Sequence, residues 1–392
     1  MNYPEIAAKV WKLGVADWDR RIFDSLIPLP DGTSYNAYVV RGSEKTALLD
    51  TVDAGMPEKL LEQLQSFETI DYIIAHHAEQ DHSGALPAVL ARFPSAIVVC
   101  STKCKTMLVD HLCLDEKRIC VMPDGATLSL GDKTLEFIYT PWVHWPETMC
   151  TWLREDRILF TCDFFGSHVA TSDTFADDRT RVYEAAKRYY AEIMMPFRAA
   201  VRTNIEKIEK HDITLIAPSH GPVHRDPQFI ISAYKEWISD IPKNEAVLPY
   251  VSMHGSTRKM VEHLVQALTE RNITVYQFDL TVTDIGRLAI TLVDAATIVI
   301  GTPTVHAGPH PLALYASHLA NALRPKVKAA SIIGSYGWAG KAVEQIAAMI
   351  PNLKVEVLEP VLCRGFPRDQ DFAALDRLAD AIAAKHRSLG II

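Results

Sequence analysis

The sequence has no excess of positive charge. Lys and Arg together number 40 against 48 Asp and Glu, which gives a formal net charge of −8 at pH 7. A protein that binds a polyanion non-specifically needs a basic surface to attract it. The charge balance therefore excludes nucleic-acid binding as the main task and disfavours acidic membranes as partners.

Long hydrophobic runs are also missing. No stretch reaches the roughly 18 consecutive apolar residues of a membrane span. The N-terminal segment interleaves apolar residues with charges such as Lys9, Arg20 and Arg21, so it lacks the uninterrupted apolar core of a signal peptide. We therefore expect a protein without a membrane anchor.

Paired cysteines are a third absence. The seven cysteines are an odd number, and no two of them stand in a C-x-x-C pair. This usage favours a reducing cytoplasm over a disulfide framework. It also excludes a zinc ribbon and a fused rubredoxin-type iron centre, which would need two such pairs.

The chain of 392 residues is long enough for two domains. The first half mixes strand-like runs with helical patterns and opens on a predicted hairpin over residues 35–50. A polar, Pro-containing connector, DIPKNEA, occupies residues 240–246. Beyond it, five strand-like runs from VLPYVS to KVEVLEP alternate with helical patterns, which predicts a doubly wound parallel sheet. We therefore predict an α/β protein with domains at 1–246 and 247–392.

The densest cluster of metal-ligand residue types follows the predicted strand IDYIIA. It reads HHAEQDHSG and contains His77, Glu79, Asp81 and His82 in the order H-x-E-x-D-H. On an extended loop, alternate side chains point the same way. We therefore expect His77, Glu79 and Asp81 to converge, with His82 adding a fourth donor.

Three further candidates lie at predicted strand ends: His144 in TPWVHWPE, Asp163 in LFTCDFFG and His220 in IAPSHGP. Seven donors are too many for one tetrahedral ion but suit two ions bridged by a carboxylate. We assign His77, Glu79 and His144 to one metal, and Asp81, His82 and His220 to the other. Asp163 is the expected bridge.

The second half carries a predicted flavin site. The strand VLPYVS runs into SMHGSTRKM at the start of a helix, where backbone N–H groups and hydroxyls can bind a phosphate. Two more loops, GTPTVHAGP and GSYGWAGK, follow strands at the same predicted edge, where open α/β sheets bind ligands. The residues predicted to bind FMN are Ser252, Met253, His254, Gly255, Ser256, Thr257, Pro303, Thr304, Val305, His306, Ser335, Tyr336, Gly337, Trp338 and Gly340.

The first-half motifs resemble the metallo-β-lactamase fold, an αββα sandwich whose zinc members carry H-x-H-x-D-H. Here the second histidine is replaced by Glu79. A carboxylate oxygen is a harder ligand than an imidazole, and it moves the preference from zinc toward iron or manganese. The replacement points to redox chemistry. The second half in turn resembles flavodoxin.

The combination resembles the flavodiiron protein family. The motifs HAEQDHSG, HWPETM, CDFFG, PSHGP, SMHGSTRKM and GSYGWAGKAV stand in the expected order over nearly the whole chain. The resemblance implies reduction of O2 to water, or of NO to N2O, at a non-haem diiron centre fed by FMN. It also implies a head-to-tail homodimer, which could pair into a tetramer. The electron donor would be a separate rubredoxin or a similar protein, because no rubredoxin follows the second half.

The chain departs from the family pattern at three positions. Asp24 stands near a position where many members carry a histidine that is associated with the choice between O2 and NO. His306 lies in PTVHAG where PT-x-N-N-G is common, and His224 replaces an aromatic residue. These three departures bear on substrate preference and flavin potential.

Trp145, Tyr190 and Phe197 are expected beside the metal site.

Two alternatives remain open at this point. The first is a dizinc hydrolase that carries its flavodoxin-like half as a regulatory module, which Glu79 and the flavin loops disfavour. The second is a non-catalytic electron carrier with a vestigial metal site. The presence of all seven donors disfavours that reading.

Overall fold

A computed structural model of the chain describes residues 3–338 and 340–392. The residues group into two compact units. The first comprises the chain up to Tyr190 together with Phe197–Ile238, and the second comprises Ala191–Pro196 together with Ser239–Ile392. The boundary expected near residue 246 lies inside the strand Lys243–Tyr250.

The first unit contains two large sheets, a small two-stranded sheet formed by Ile22–Phe23 and Ile27–Pro28, and the helices that accompany them. Its strands are β1 (Glu5–Ala7), β2 (Val10–Asp17), β3 (Ile22–Phe23), β4 (Ile27–Pro28), β5 (Thr33–Arg41), β6 (Thr46–Leu49), β7 (Tyr72–Ala75), β8 (Ile97–Cys100), β9 (Ile119–Val121), β10 (Thr127–Ser129), β11 (Thr134–Tyr139), β12 (Met149–Leu153), β13 (Ile158–Cys162) and β14 (Leu215–Pro218). Its helices are α1 (Pro57–Leu64), α2 (Gln80–Ser83), α3 (Leu86–Arg92), α4 (Thr102–Leu112), α5 (Arg179–Tyr189), α6 (Arg198–Ile208) and α7 (Pro227–Trp237).

The strands form two large mixed sheets. One has the order β1-β2-β5-β6-β7-β8-β9, and the other has the order β10-β11-β12-β13-β14. The predicted hairpin is confirmed, because β5 and β6 are antiparallel with Tyr38 opposite Leu49. In the second sheet, β13 and β14 are parallel neighbours. Their carboxyl ends therefore lie side by side.

The core of the first unit lies on both faces of the first sheet. Alternate strand residues point to opposite faces. On one face, residues such as Leu49 and Ile74 pack with Phe137 and Phe160 of the second sheet. On the other face, residues such as Ile73 pack with the helices. The first unit is thus the β-sandwich with outer helices that the motifs predicted.

The second unit alternates strands and helices. Its elements are β15 (Lys243–Tyr250), α8 (Ser256–Thr269), β16 (Thr274–Asp279), α9 (Ile285–Leu292), β17 (Ala295–Val305), β18 (Gly308–Pro309), α10 (Pro311–Leu323), β19 (Ala329–Tyr336), α11 (Ala342–Met349), β20 (Glu356–Val357), β21 (Val361–Arg364) and α12 (Asp369–Ser388). The helix α8 buries Met260, Val261, Leu264 and Leu268, the spacing of one helical face.

The sheet of the second unit is parallel and has the order β16-β15-β17-β19-β20. This confirms the predicted doubly wound sheet. One expected strand is broken, however, because KVEVLEP forms only the two-residue β20. Pro360 has no N–H to continue the ladder, and β21 resumes the pairing with β19 beyond it.

No helix in residues 3–338 and 340–392 combines the length and the apolar character needed to cross a membrane.

Candidate metal centre and flavin pocket

The seven donors predicted from the sequence stand at or near the ends of strands in both sheets of the first unit. His77 and Glu79 follow β7, Asp81 and His82 lie on α2, His144 precedes β12, Asp163 follows β13, and His220 follows β14. Their ligand atoms fall into two compact groups.

The segment after β7 is not the extended loop that the sequence analysis assumed. Glu79 has an extended backbone at the start of α2, and Gln80–Ser83 forms a single helical turn. This turn sends Asp81 and His82 away from His77 and Glu79. The motif therefore serves both groups, with two donors to each, and His77, Glu79 and Asp81 do not converge on one point.

The first group consists of His77, Glu79, His144 and one oxygen of Asp163. The Nε2 atoms of His77 and His144 lie 3.0 and 3.1 Å from Glu79 Oε2. Both nitrogens also lie 3.5 Å from Asp163 Oδ2. Two imidazole nitrogens and two carboxylates thus converge, an arrangement that suits a mixed N/O metal site.

The second group consists of Asp81, His82 and His220, with the other oxygen of Asp163 facing it. The Nε2 atoms of His82 and His220 lie 3.2 and 3.1 Å from Asp81 Oδ2. They lie 2.8 and 3.3 Å from Asp163 Oδ1. Each oxygen of Asp163 therefore faces a different group, which is the geometry of a bridging carboxylate.

Burial and missing hydrogen bonds show that these donors fit cations. Asp81, His82 and Asp163 are all buried. Within the described residues, no hydrogen bond of good geometry satisfies the buried carboxylate oxygens of Asp81 and Asp163 or Nε2 of His82, although Nε2 of His82 lies only 2.8 Å from Asp163 Oδ1. Buried charges are normally paired or coordinate metals. Since Oδ2 of Asp81, both oxygens of Asp163 and Nε2 of His82 lie within the two groups, a metal ion is the partner that the chemistry of the set calls for.

The electrostatics of the two groups lead to the same conclusion. Burial alone would lower the pKa of His220, but the adjacent carboxylates of Asp163 and Asp81 raise it to about 10. For His144, burial is likewise outweighed by Asp163 and Glu79, and its pKa rises to about 9. The carboxylates thus create a strongly negative local field. A cation that replaces the imidazole protons would take over that stabilisation.

A cavity opens onto the metal groups from the surface. Its walls include Arg20, Phe23, Asp24, Asp53, Glu79, Gln80, Asp81, His111 and Trp145. Partial burial, together with the carboxylates of Glu79 and Asp81, raises the pKa of Asp24 to about 6. The residue that departs from the family pattern is therefore at the mouth of the site.

The three residues expected beside the site have different surroundings. Trp145 stands edge-on against the ring of His77, with ring centroids 4.8 Å apart. Tyr190 instead packs on Tyr234 and Trp237, and Phe197 stacks on Trp142. The adjacent Tyr189 has its ring 5.7 Å from that of His220, and the ring of Tyr35 lies at 5.8 Å from it.

The two histidines that depart from the family pattern, His224 and His306, have different surroundings. His224 is buried, and its Nε2 donates to the carbonyl of Phe165 at 3.4 Å. Burial lowers its pKa to about 4, so it is neutral at pH 7. His306 lies exposed at the tip of the β17–β18 hairpin, with φ of 50°.

Three buried residues around the metal groups were not predicted. Glu147 accepts a hydrogen bond from Nδ1 of His77 at 2.6 Å. Asp50 hydrogen-bonds both His76 and Ser219. His168 lies with its ring 4.8 Å from that of His220. Glu147 stands three positions after His144 in HWPETM, so an acidic residue close to a ligand was the one available signal.

A second pocket lies at the carboxyl ends of β15, β17 and β19 in the second unit. It is lined by Ser252, Met253, His254, Ser256, Thr257, Pro303, Thr304, Ser335, Tyr336, Gly337 and Gly365. Helix α8 begins at Ser256, and Ser256 and Thr257 of its first turn line this pocket. Gly255 precedes it with φ of +88°. The three segments predicted to bind FMN therefore share one pocket.

Several predicted flavin residues stand outside this lining. GTPTV continues β17 up to Val305, so the expected loop is a tight hairpin whose turn is His306 and Ala307. Trp338 is 83% exposed. Gly340 packs against Thr304, and residue 339 of the same segment lies outside the described residues. Gly365, after β21, was not predicted.

Comparison with known proteins agrees with this architecture. Residues 33–221 match the family model described as ODP family beta lactamase. The chain is 34% identical over 387 residues to a nitric oxide reductase of Moorella thermoacetica, covering 96% of this chain and 97% of the relative. The structure superimposes on the rubredoxin oxygen:oxidoreductase of Desulfovibrio gigas with a TM-score of 0.96 and 29% identity, over 100% of both chains. A flavodiiron protein of Giardia intestinalis gives 0.93 and 26% identity, over 99% of this chain and 98% of that one.

The fold thus defines a two-part α/β protein with a metallo-β-lactamase-like first unit and a flavodoxin-like second unit. With a relative 34% identical along almost its whole length, the chain belongs to the flavodiiron protein family.

Proposed function

We propose that this chain is an oxidoreductase that reduces O2 to water, NO to N2O, or both, at a non-haem diiron centre with electrons from FMN. One observation carries the proposal. The two oxygens of a buried carboxylate, Asp163, face two separate groups of imidazole and carboxylate donors. A hydrolase of the same fold could share this geometry, but Glu79 favours iron over zinc.

His77, Glu79, His144 and Asp163 would hold one iron, and Asp81, His82, His220 and Asp163 the other. When bound, the two ions would supply electrons and positive charge to a gas at their open positions, and FMN would resupply the electrons. The chain's own contribution is to fix the ligand nitrogens and to restrict water around them. Trp145 does the latter by covering the ring of His77.

Reduction of either gas also consumes protons. Tyr189 is buried with its ring against His168 and His220, at 4.8 and 5.7 Å. A tyrosine in this position can donate from its hydroxyl toward the site. Water in the cavity lined by Arg20 and Asp24 is the other route for protons.

The second unit would hold FMN in the pocket at the carboxyl ends of its strands. The phosphate would lie on Ser252–Thr257 at the N-terminus of α8, where N–H groups and the helix dipole favour an anion. The ring would lie between the β17–β18 hairpin and the segment around Tyr336 and Gly337. Tyr336, and Trp338 after a movement of its exposed side chain, offer aromatic faces to the flavin.

We further propose a head-to-tail homodimer, with the flavin of one protomer delivering electrons to the iron pair of its partner. A tetramer of two such dimers is compatible with this arrangement. The electron donor would be rubredoxin or a similar protein, in the cytoplasm. We retain 1–246 and 247–392 as the proposed domains.

Substitution of the bridging residue tests the site directly. Asp163→Ala removes the oxygens that face both groups, so we expect loss of the iron pair and of gas reduction while FMN remains bound. Iron content, FMN content and gas consumption are the measurements. Full activity in this variant would refute the bridging role of Asp163.

Metal analysis tests the choice between iron and zinc. Protein produced with both metals available should contain two iron ions and FMN per chain and should be coloured. A zinc-loaded protein that hydrolyses thioesters or lactams without consuming gas would instead support the hydrolase reading.

A further inference from the structure

We propose that Glu147 is a positioning residue that makes the ion held by His77, Glu79 and His144 the more tightly bound of the pair. This inference rests on the proposed diiron site. It goes beyond the ligand set, because Glu147 does not face either group. It acts through His77.

The contact between Glu147 and His77 fixes the orientation of the ligand. Oε1 of Glu147 lies 2.6 Å from Nδ1 of His77. An ionised carboxylate can only accept hydrogen bonds, so Nδ1 is the donor. The lone pair of the ring is then on Nε2, the atom that faces Glu79 and Asp163. Glu147 thus selects the tautomer that can bind a metal.

The same oxygen also fixes the backbone next to the ligand. Oε1 accepts the N–H of Ala78 at 3.1 Å. Glu147 is itself held in place, because its carbonyl accepts the hydroxyl of Ser101 at 2.7 Å, and Ser101 is the N-cap of α4. The imidazole of His77 and the peptide after it are therefore positioned by one carboxylate anchored to a helix.

Burial makes this charge effective. The side chains of Glu147 and His77 are both completely inaccessible to solvent. Within the described part of the chain, Oε2 of Glu147 has no hydrogen-bond partner. In such a site, the negative charge is poorly screened and acts mainly through its one imidazole partner.

The two histidines of the other group, His82 and His220, have no carboxylate behind them. Nδ1 of His220 donates to a neutral backbone carbonyl, that of Ser34, at 2.7 Å. Nδ1 of His82 is buried without a partner in the residues described. A carboxylate behind a ligating histidine raises its basicity and metal affinity. The group that contains His77 should therefore bind its ion more tightly than the group that contains Asp81.

Release of iron from matched variants tests the proposal. Full-length protein with FMN is loaded with two ferrous ions under anaerobic conditions, and release to ferrozine is followed by absorbance. Glu147→Gln keeps the shape and one acceptor oxygen but removes the charge. We expect the ion that leaves the wild type more slowly to leave this variant about 10- to 100-fold faster, because loss of such a partner typically lowers metal affinity by that factor. The other ion and the FMN content should be unchanged.

Two further variants make the result specific. Glu147→Asp keeps the charge but places it farther from His77, because the side chain is shorter. This variant should release the ion held by His77, Glu79 and His144 at an intermediate rate. Glu136→Gln removes a carboxylate of β11 that pairs with Arg154, and should release both ions as the wild type does. Circular dichroism of each variant separates faster release from loss of the fold.

The outcomes distinguish this proposal from the proposed function. Wild-type protein that holds fewer than two ions would contradict the diiron function and the role of Glu147 together. Wild-type protein with two ions, and unchanged release from Glu147→Gln, would contradict the role of Glu147 alone. Equal acceleration of both ions would also overturn it, because the effect would then not be confined to one group.

Discussion

The flavodoxin-like unit should lose stability in mild acid because of one buried histidine, His386 on α12. Its Nδ1 lies 2.7 Å from the side-chain oxygen of Asn244, and its Nε2 lies 2.8 Å from the hydroxyl of Thr297. The first contact requires Nδ1 to donate, so Nε2 is the acceptor. This is the neutral ring, and a second proton would displace the hydrogen bond from Thr297.

The size of the effect follows from the shift in pKa. Burial lowers the pKa of His386 from 6.5 to about 4. The folded protein then binds fewer protons than the unfolded chain between these values, so stability falls as the pH drops through that window. At about 1.4 kcal/mol per pH unit the complete loss is about 3 kcal/mol, and about 2 kcal/mol of it is reached at pH 5.

Hydrogen exchange of peptides from β17 and α12 measures this loss within the full chain. The free energy of opening should be about 2 kcal/mol lower at pH 5 than at pH 7.5, beyond the change seen in His386→Gln, whose side chain does not titrate in this range. His318→Gln, at an exposed position on α10, is the matched control and should behave as the wild type does. An equal pH dependence in the wild type and His386→Gln would refute the reasoning.

Two further substitutions test the sites. Gly255→Ala has open space for its Cβ but must keep φ of +88°; that conformation costs an L-residue about 1 to 2 kcal/mol, so FMN should bind roughly 5- to 30-fold more weakly by fluorescence titration. Asn36→Ala removes two buried hydrogen bonds, to the carbonyls of Pro218 and Gly221 on either side of His220; the first unit should lose about 2 to 3 kcal/mol in urea unfolding, and unchanged stability would contradict this role.

The two groups of metal-binding residue types could be predicted because most of their members follow recognisable strands. Asp163 comes directly after β13, and His220 comes two residues after the end of β14. The end of a buried strand has a well-defined position in the fold. The motif that begins at His77 contains four metal-binding side chains within six residues. An ordinary polar surface loop was therefore a poor explanation for it. The single turn of α2 was not predicted, since four residues carry too little pattern to reveal a helix.

Residues that act through another residue escaped prediction for a physical reason. Glu147 and His77 are 70 positions apart in the chain, and only the fold brings them into contact. Tyr190, the tyrosine expected beside the site, follows Tyr189 by one position, and one residue on a helix turns the side chain by about 100°. The ring of Tyr189 therefore lies beside that of His220, as does the ring of Tyr35.

The pocket proposed for FMN was predictable as three strand-to-loop junctions but not in its details. The strand β17 extends to Val305 because it pairs with β18, in which Gly308 lies opposite Val305. No alternation of apolar and polar residues in the sequence predicted this hairpin. Gly365 reaches the pocket only because β21 is parallel to β19 at its last residues. The break between β20 and β21 lies at Pro360, which cannot donate a hydrogen bond to β19. The sequence alone did not show that this residue would interrupt the strand.

The most direct test of the account is gas consumption by the purified protein, loaded with iron and FMN and supplied with electrons through a rubredoxin system. O2 and NO are measured in parallel electrode cells, with hydrogen peroxide and N2O as product assays. The account predicts rapid consumption of at least one gas, O2 without accumulation of peroxide or NO with formation of N2O. Protein that contains both iron ions and reducible FMN, yet consumes neither gas, would contradict it.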